Sequence, residues 1–140
     1  MNYLVDVNVW LALSTPGHVH HRVALDWFES VEERLFFCRV TQMGFLRLIT
    51  NRRVMELSVV SAERAWAVLA ALREDSRIGY VTEPGGLEDT WRQQTRGHTM
   101  GHNFWTDSYL AAFASAAGLT LVTFDRGFTR RKNVSVRVLA

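Results

Sequence analysis

Lysine and cysteine are almost absent from this chain, and acidic residues vanish from one long central stretch. The single cysteine, Cys38, excludes an internal disulfide and any zinc site built on paired thiolates. It ends the apolar run Leu35-Phe36-Phe37-Cys38 and is expected to be a small buried hydrophobe. No stretch reaches the ~18–20 uncharged apolar residues of a membrane span. The opening MNYLVDVNVW has no basic region and carries an aspartate inside its apolar run, unlike a secretory signal. A soluble, cytoplasmic protein in a reducing compartment is therefore expected. No GxSxG, GxGxxG or glycine-rich phosphate loop occurs, which removes the serine-hydrolase, dinucleotide-binding and P-loop classes.

What is present is ordinary in bulk and uneven in detail. The 140 residues suit one domain, expected to occupy 1–140, and the 48% hydrophobic and 21% charged fractions are those of a globular protein. Net charge is +2 with a sequence pI near 9.1. Fifteen of the sixteen basic residues are arginine, and Lys132 is the only lysine. Arginine's planar fork suits phosphate, although GC-rich coding also favours it. Two clusters could meet an anionic partner: Arg47 with Arg52 and Arg53, and Arg126 with Arg130, Arg131 and Lys132.

The hydrophobic pattern alternates between strand and helix. Tyr3-Leu4-Val5 reads as a buried parallel strand running into a helix, broken at Thr15-Pro16-Gly17. Apolar residues at Val19, Val23, Trp27 and Val31 predict an amphipathic helix over 18–31. A short strand over 35–38 precedes a helix capped by Thr41 and carrying Met43, Leu46 and Ile49. Ser61 caps a helix over 62–73, and a strand follows at 78–82. A short helix at 87–94 and a polar loop at 96–103 lead to a helix capped by Thr106 and ended by Gly118. A strand at 119–123 and an alternating one through Val134, Val136 and Val138 close the chain. The alternation predicts an α/β fold with a mainly parallel sheet flanked by helices.

That fold places three aspartates together. In open parallel sheets, ligands gather beyond the carboxyl ends of the strands. Asp6 follows the first strand, Asp125 follows Leu121-Val122-Thr123, and Asp107 opens a helix where the dipole favours an anion. Adjacent carboxylates cannot all stay ionised without a counter-charge. A hard divalent cation, Mg²⁺ or in its place Mn²⁺, supplies one economically. Asp107 and Asp125 also fit plain helix-start and turn roles, but Asp6 interrupts a core-like run and resists that explanation. The histidines are less promising. His18, His20 and His21 have no acidic or thiol partner nearby and are expected to be solvated. His98 and His102 are four apart, but Gly97 and Gly101 argue against a helix there. Trp27, Trp66 and Trp91 lie at helical core spacing, and Trp105, beside Asp107, is expected to pack inward or else to line the site.

The segments LVDVNVWLAL, HHRVALDWF, TQMGFLRLITN and FWTDSYLAAFASAAGLTLVTFDRGF resemble the PIN-domain ribonucleases, specifically VapC-type toxins of bacterial toxin–antitoxin pairs. The resemblance runs from the first residues to about residue 128, and its late segment is the most specific. It implies Asp6, Asp107 and Asp125 as catalytic metal-holding residues, with Mg²⁺ as cofactor. It also implies hydrolysis of RNA, with a folded species such as transfer or ribosomal RNA favoured, and Arg47 and Arg126 as contacts to substrate phosphate. A VapB-type antitoxin and a homodimer are the implied partners, without a membrane. One position departs from the pattern: the usual acidic residue after the second strand is Gly44, and no Asp or Glu occurs between Glu33 and Glu56. One firmly held metal is therefore expected, with Asn8 or Gln42 as possible substitutes for the missing group. An aspartyl-nucleophile phosphoryl-transfer enzyme fits less well, because it needs a site lysine and has an Asp where this chain has Asn8. An impaired PIN fold that binds RNA or protein is the other reading, and Gly44 is its support.

Overall fold

The computed structural model describes residues 1–97 and 101–140. Five strands are present: β1 (Tyr3–Val5), β2 (Leu35–Phe37), β3 (Ile78–Tyr80), β4 (Thr120–Thr123) and β5 (Ser135–Val138). Among the described residues seven α-helices accompany them: α1 (Val7–Ser14), α2 (His21–Ser30), α3 (Arg39–Ile49), α4 (Arg52–Met55), α5 (Ala62–Leu72), α6 (Leu87–Thr95) and α7 (Phe104–Ala117). The strands form one sheet in the order β3-β2-β1-β4-β5, and every pairing is parallel. The expected parallel α/β architecture is therefore present.

Side-chain alternation along the strands builds two cores. Tyr3, Val5, Leu35, Phe37 and Val122 point to one face, where they meet Val9, Trp10, Trp27, Phe45 and Leu69 from α1, α2, α3 and α5. Leu4 and Leu121 point to the other face and pack on Leu87, Leu110 and Phe113 of α6 and α7. The run Ala111–Ala114 is wholly buried, so α7 lies close against the sheet. Gly118 ends it at φ 68°, a left-handed conformation that glycine adopts without strain.

The order β3-β2-β1-β4-β5 contains one reversal. From β1 the chain builds outward through β2 and β3, then returns to β1's other side for β4. The point between β1 and β4 is the topological switch where such sheets open a crevice. β1 enters α1 through a single residue, Asp6, and β4 leaves through Phe124 and Asp125.

Several local expectations need correction. Helix α2 starts at His21, and Val19 is 85% exposed, because His18 and His21 close turns after Pro16 through bonds to Thr15 and His18 carbonyls. Thr41 does not begin α3. Extended Cys38 does, and the buried Thr41 hydroxyl reaches back to accept the Cys38 N–H at 2.9 Å. Likewise α7 begins at Phe104, a turn before Thr106 would allow, since burial of Phe104 draws the helix start forward. Trp66 and Trp105 are 58% and 55% exposed, so neither packs into the core, and helical spacing misplaced Trp66. Cys38 is buried, as expected. The expectation for His98 lies outside the described residues. Among those residues, no helix is long and apolar enough to cross a membrane.

Candidate active site

A cleft of about 520 Å³ opens at the switch point and is lined by Asp6, Asp107 and Asp125 together. Asn8, Asn103, Thr106 and Arg47 complete its polar wall; Val7, Leu11, Val40, Met43, Leu48 and Leu110 form the apolar one. Residues separated by up to 119 positions thus share one pocket because β1 and β4 are neighbours.

Asp6 is the most firmly built of the three. It is only 9% exposed and serves as the N-cap of α1, with Oδ1 accepting the Val7 N–H at 2.7 Å. Oδ2 accepts the Thr123 hydroxyl at 2.8 Å, which ties the end of β1 to the end of β4. Burial raises the Asp6 pKa, the two hydrogen bonds oppose that rise, and the charge of Asp125 adds to it. Thr123 also uses its hydroxyl oxygen to accept the Asp125 N–H at 3.0 Å, so one side chain aligns two of the aspartates. Asp125 is exposed and caps the following 3₁₀ turn (Arg126–Arg130), with Oδ1 accepting the Gly127 N–H at 2.8 Å.

Asp107 projects from the first turn of α7. Burial, followed by the charges of Asp6 and Asp125, pushes its carboxyl up to about 6, and Arg131 acts in the opposite direction. Among the described residues no hydrogen bond or ion pair engages that carboxylate. The site therefore gathers more negative charge than the protein itself compensates. Arg131 is the cation that the sequence did not single out for this site. Its relevance depends on how the loop before β5 folds back, which no local pattern reports.

The chemistry of these donors fits a hard cation. All are oxygens, and among the described residues no thiolate or imidazole lines the cleft. Among the described residues, no three His, Cys, Asp or Glu side chains are grouped so as to hold an ion by themselves. Mg²⁺ typically keeps several waters and is held by one or two carboxylates plus substrate phosphate. Four further candidates resolve differently. Asn8 lines the cleft, and its Oδ1 accepts the Phe124 N–H at 3.3 Å. Gln42 does not line it, because its Oε1 accepts a bond from Arg39 at 2.6 Å. Arg47 is on the wall, whereas Arg126 stands outside on the 3₁₀ turn. Gly44 faces the cleft from α3, and a Cβ there would lie 2.9 Å from Val7 Cγ2. A larger residue at that position would have to displace Val7.

The histidines near the chain's first turn form no metal cluster with acidic or thiol partners among the described residues. His21 Nδ1 lies 2.8 Å from the Ala12 carbonyl, and the exposed His20 ring stacks on Phe124.

Comparison with known proteins agrees with this fold. The family profile described as "PIN domain" matches residues 3–134. Ribonuclease VapC41 of Mycobacterium tuberculosis is 41% identical over 143 residues, covering 98% of each chain. Ribonuclease VapC39 of the same species is 36% identical over 89% of each. Among solved structures, VapC20 of Mycobacterium tuberculosis superposes with a TM-score of 0.70 at 23% identity, over 96% of this chain and 98% of that one. VapBC2 from Rickettsia felis gives 0.71 at 15% identity over 100% of both chains. The chain belongs to the PIN-domain family and, within it, to the VapC ribonucleases.

Proposed function

We propose that this protein is a Mg²⁺-dependent endoribonuclease toxin that cleaves structured RNA and is neutralised by a VapB-type antitoxin. The observation that carries the catalytic reading is the meeting of Asp6, Asp107 and Asp125 in one cleft at the switch point. The relatives' names support ribonuclease activity, and structural neighbours include VapBC assemblies. Action in the cytoplasm as a homodimer belongs to the same proposal; the exposed Val54, Leu57 and Trp66 are compatible with a partner surface.

The reaction would be in-line hydrolysis of a phosphodiester: water adds to phosphorus as the bridging oxygen leaves. Asp6 and Asp107 would hold the metal, and Asp125 would either join them or orient the attacking water. When bound, Mg²⁺ lowers the pKa of water and offsets the negative charge that develops at phosphorus. The protein's own part is positional. Thr123 and the Val7 N–H hold the Asp6 carboxylate in one orientation, so little reorganisation accompanies the reaction. Asn8 keeps its amide on the cleft wall, where it can orient a water. Arg47 can receive the substrate phosphate from the wall, and Arg126 the flanking strand.

Gly44 supports a second reading, a PIN fold that binds RNA without cutting it. The missing acidic group cannot simply be restored, because Val7 fills its space. Incubation of the protein with total RNA and Mg²⁺, with and without EDTA, separates the two. Cleavage is expected with Mg²⁺ alone, and Asp6→Asn or Asp107→Asn should each lower its rate by about 100-fold or more. Cleavage that survives both substitutions removes the assigned site, and RNA binding without any cleavage establishes the second reading.

A further inference from the structure

A second concavity, of about 340 Å³, lies between the end of α6, the last turn of α7 and the loop before β5. Arg96, Arg130 and Lys132 converge on it beside Gln94, Ser115 and Asn133, and no carboxylate lines it. Among the described residues, none of these three cations takes part in an ion pair. Like charges gathered without a counter-ion repel one another, and an anion relieves that repulsion.

The wall of this cavity is built rather than incidental. Gln94 is buried, and its Nε2 donates to the Lys132 carbonyl at 2.6 Å. In return Arg131 donates from Nη1 to the Gln94 carbonyl at 3.2 Å. These two bonds clamp the basic loop to the last turn of α6. Asn133 then turns the chain into β5 at φ 61°, a conformation that asparagine tolerates better than most residues. Side chains alternate along the clamped loop. Arg130 and Lys132 line the cavity, while Arg131 between them holds the Gln94 carbonyl. The cavity and the acidic cleft share α7, with Ser115 roughly 12 Å along the helix from Asp107.

We infer that this cavity is a subsite for a backbone phosphate of the RNA strand, flanking the phosphate held in the acidic cleft. The inference rests on the ribonuclease reading for its occupant. Guanidinium groups offer paired donors to phosphate oxygens, Lys132 adds a point charge, and Gln94, Ser115 and Asn133 offer neutral polar groups to the attached sugar. A strand held at two points would be fixed in register, which is the usual work of contacts to the sugar–phosphate backbone.

The test uses the full chain and the variant Arg130→Gln/Lys132→Gln. Both residues are exposed, so the variant should keep its thermal midpoint. Inorganic phosphate, titrated without divalent metal and followed by amide NMR, is expected to shift Gln94 and residues 130–133 in the wild type but not in the variant. With an RNA substrate, KM should rise about tenfold and kcat should stay within about twofold. The slope of log affinity against log salt should become shallower by ~0.7 for each phosphate left unneutralised. Phosphate shifts confined to the acidic cleft, or unchanged in the variant, overturn the subsite. Phosphate binding in the cavity with unchanged KM and salt slope overturns the RNA strand as occupant and leaves a free-phosphate site. If the wild type cleaves no RNA, the ribonuclease reading fails, and the phosphate titration still decides whether the cavity holds an anion.

Discussion

Thr123 shows how much a single hydroxyl can organise. It donates to Asp6 Oδ2 and accepts from the Asp125 N–H, joining two strand ends and two site aspartates. It is fully buried, so replacing it by valine should preserve shape but remove these bonds together with the one it accepts from Asn8 Nδ2. Partners of this kind typically contribute 10–100-fold to metal affinity or activity. Thr123→Val is therefore expected to raise the Mg²⁺ concentration needed for half-maximal cleavage by ~10–100-fold. A metal titration of the cleavage rate measures this, and an unchanged midpoint would remove Thr123 from the site. The importance of Asp6 was visible in the sequence, because a carboxylate inside YLVDVNVWLAL has no core role. That of Thr123 was not, since a threonine at the end of a strand is unremarkable until its partner is known.

At the scale of elements, α1 and α3 are pressed together at Val7 and Gly44. Alanine at position 44 would place Cβ 2.9 Å from Val7 Cγ2, and valine's short branched side chain has little freedom to move. Overpacking of this kind costs ~1–3 kcal/mol, while replacing a mid-helix glycine gains ~1 kcal/mol. Gly44→Ala alone should therefore destabilise the fold modestly. In a Val7→Ala background the same change should stabilise it. Urea denaturation of the four combinations reads this as a coupling of opposite signs, and additive effects would show that the two helices are not in contact there. Packing on the sheet's other face is less forgiving. Phe113 is 1% exposed against Leu121 and its neighbours, and Phe113→Ala should cost ~3–5 kcal/mol by the same measurement. Element types were largely readable from hydrophobic period. Starts were not: Thr41 and Thr106 look like caps, yet burial of Cys38 and Phe104 moves both helix starts upstream.

For the whole molecule, burial of carboxylates in the cleft, reinforced by their mutual charge, couples stability to pH. Asp6 and Asp107 both hold protons more tightly in the folded chain than their ordinary value of 3.8, Asp107 up to about 6. Between these values the folded state binds more protons than the unfolded one, so the stability contributed by these groups falls as pH rises. The contribution is full below about 4 and is lost as pH passes about 6. Metal-free wild type should therefore lose stability relative to Asp107→Asn as pH rises across that window. Equilibrium denaturation of both proteins gives the difference curve, and a flat one would contradict the proposed clustering. Mg²⁺ competes with protons for the same oxygens, so its stabilising effect should be larger near pH ~7.5 than near pH ~5.

The amino-acid sequence by itself determined the α/β alternation, the burial of β1 and the place of Asp6 and Asp125 just past strand ends. These follow from hydrophobic period and from the cost of a charge in an apolar run, both of which are local. Only the tertiary structure decided that β4 lies beside β1, that Asn8 rather than Gln42 faces the cleft, and that Arg131 reaches the Gln94 carbonyl at the end of α6. It also decided that Arg96 joins Arg130 and Lys132 around a second cavity. Those outcomes depend on strand order and on hydrogen bonds between segments far apart in the chain, and a linear pattern does not encode which neighbour a folded surface will present.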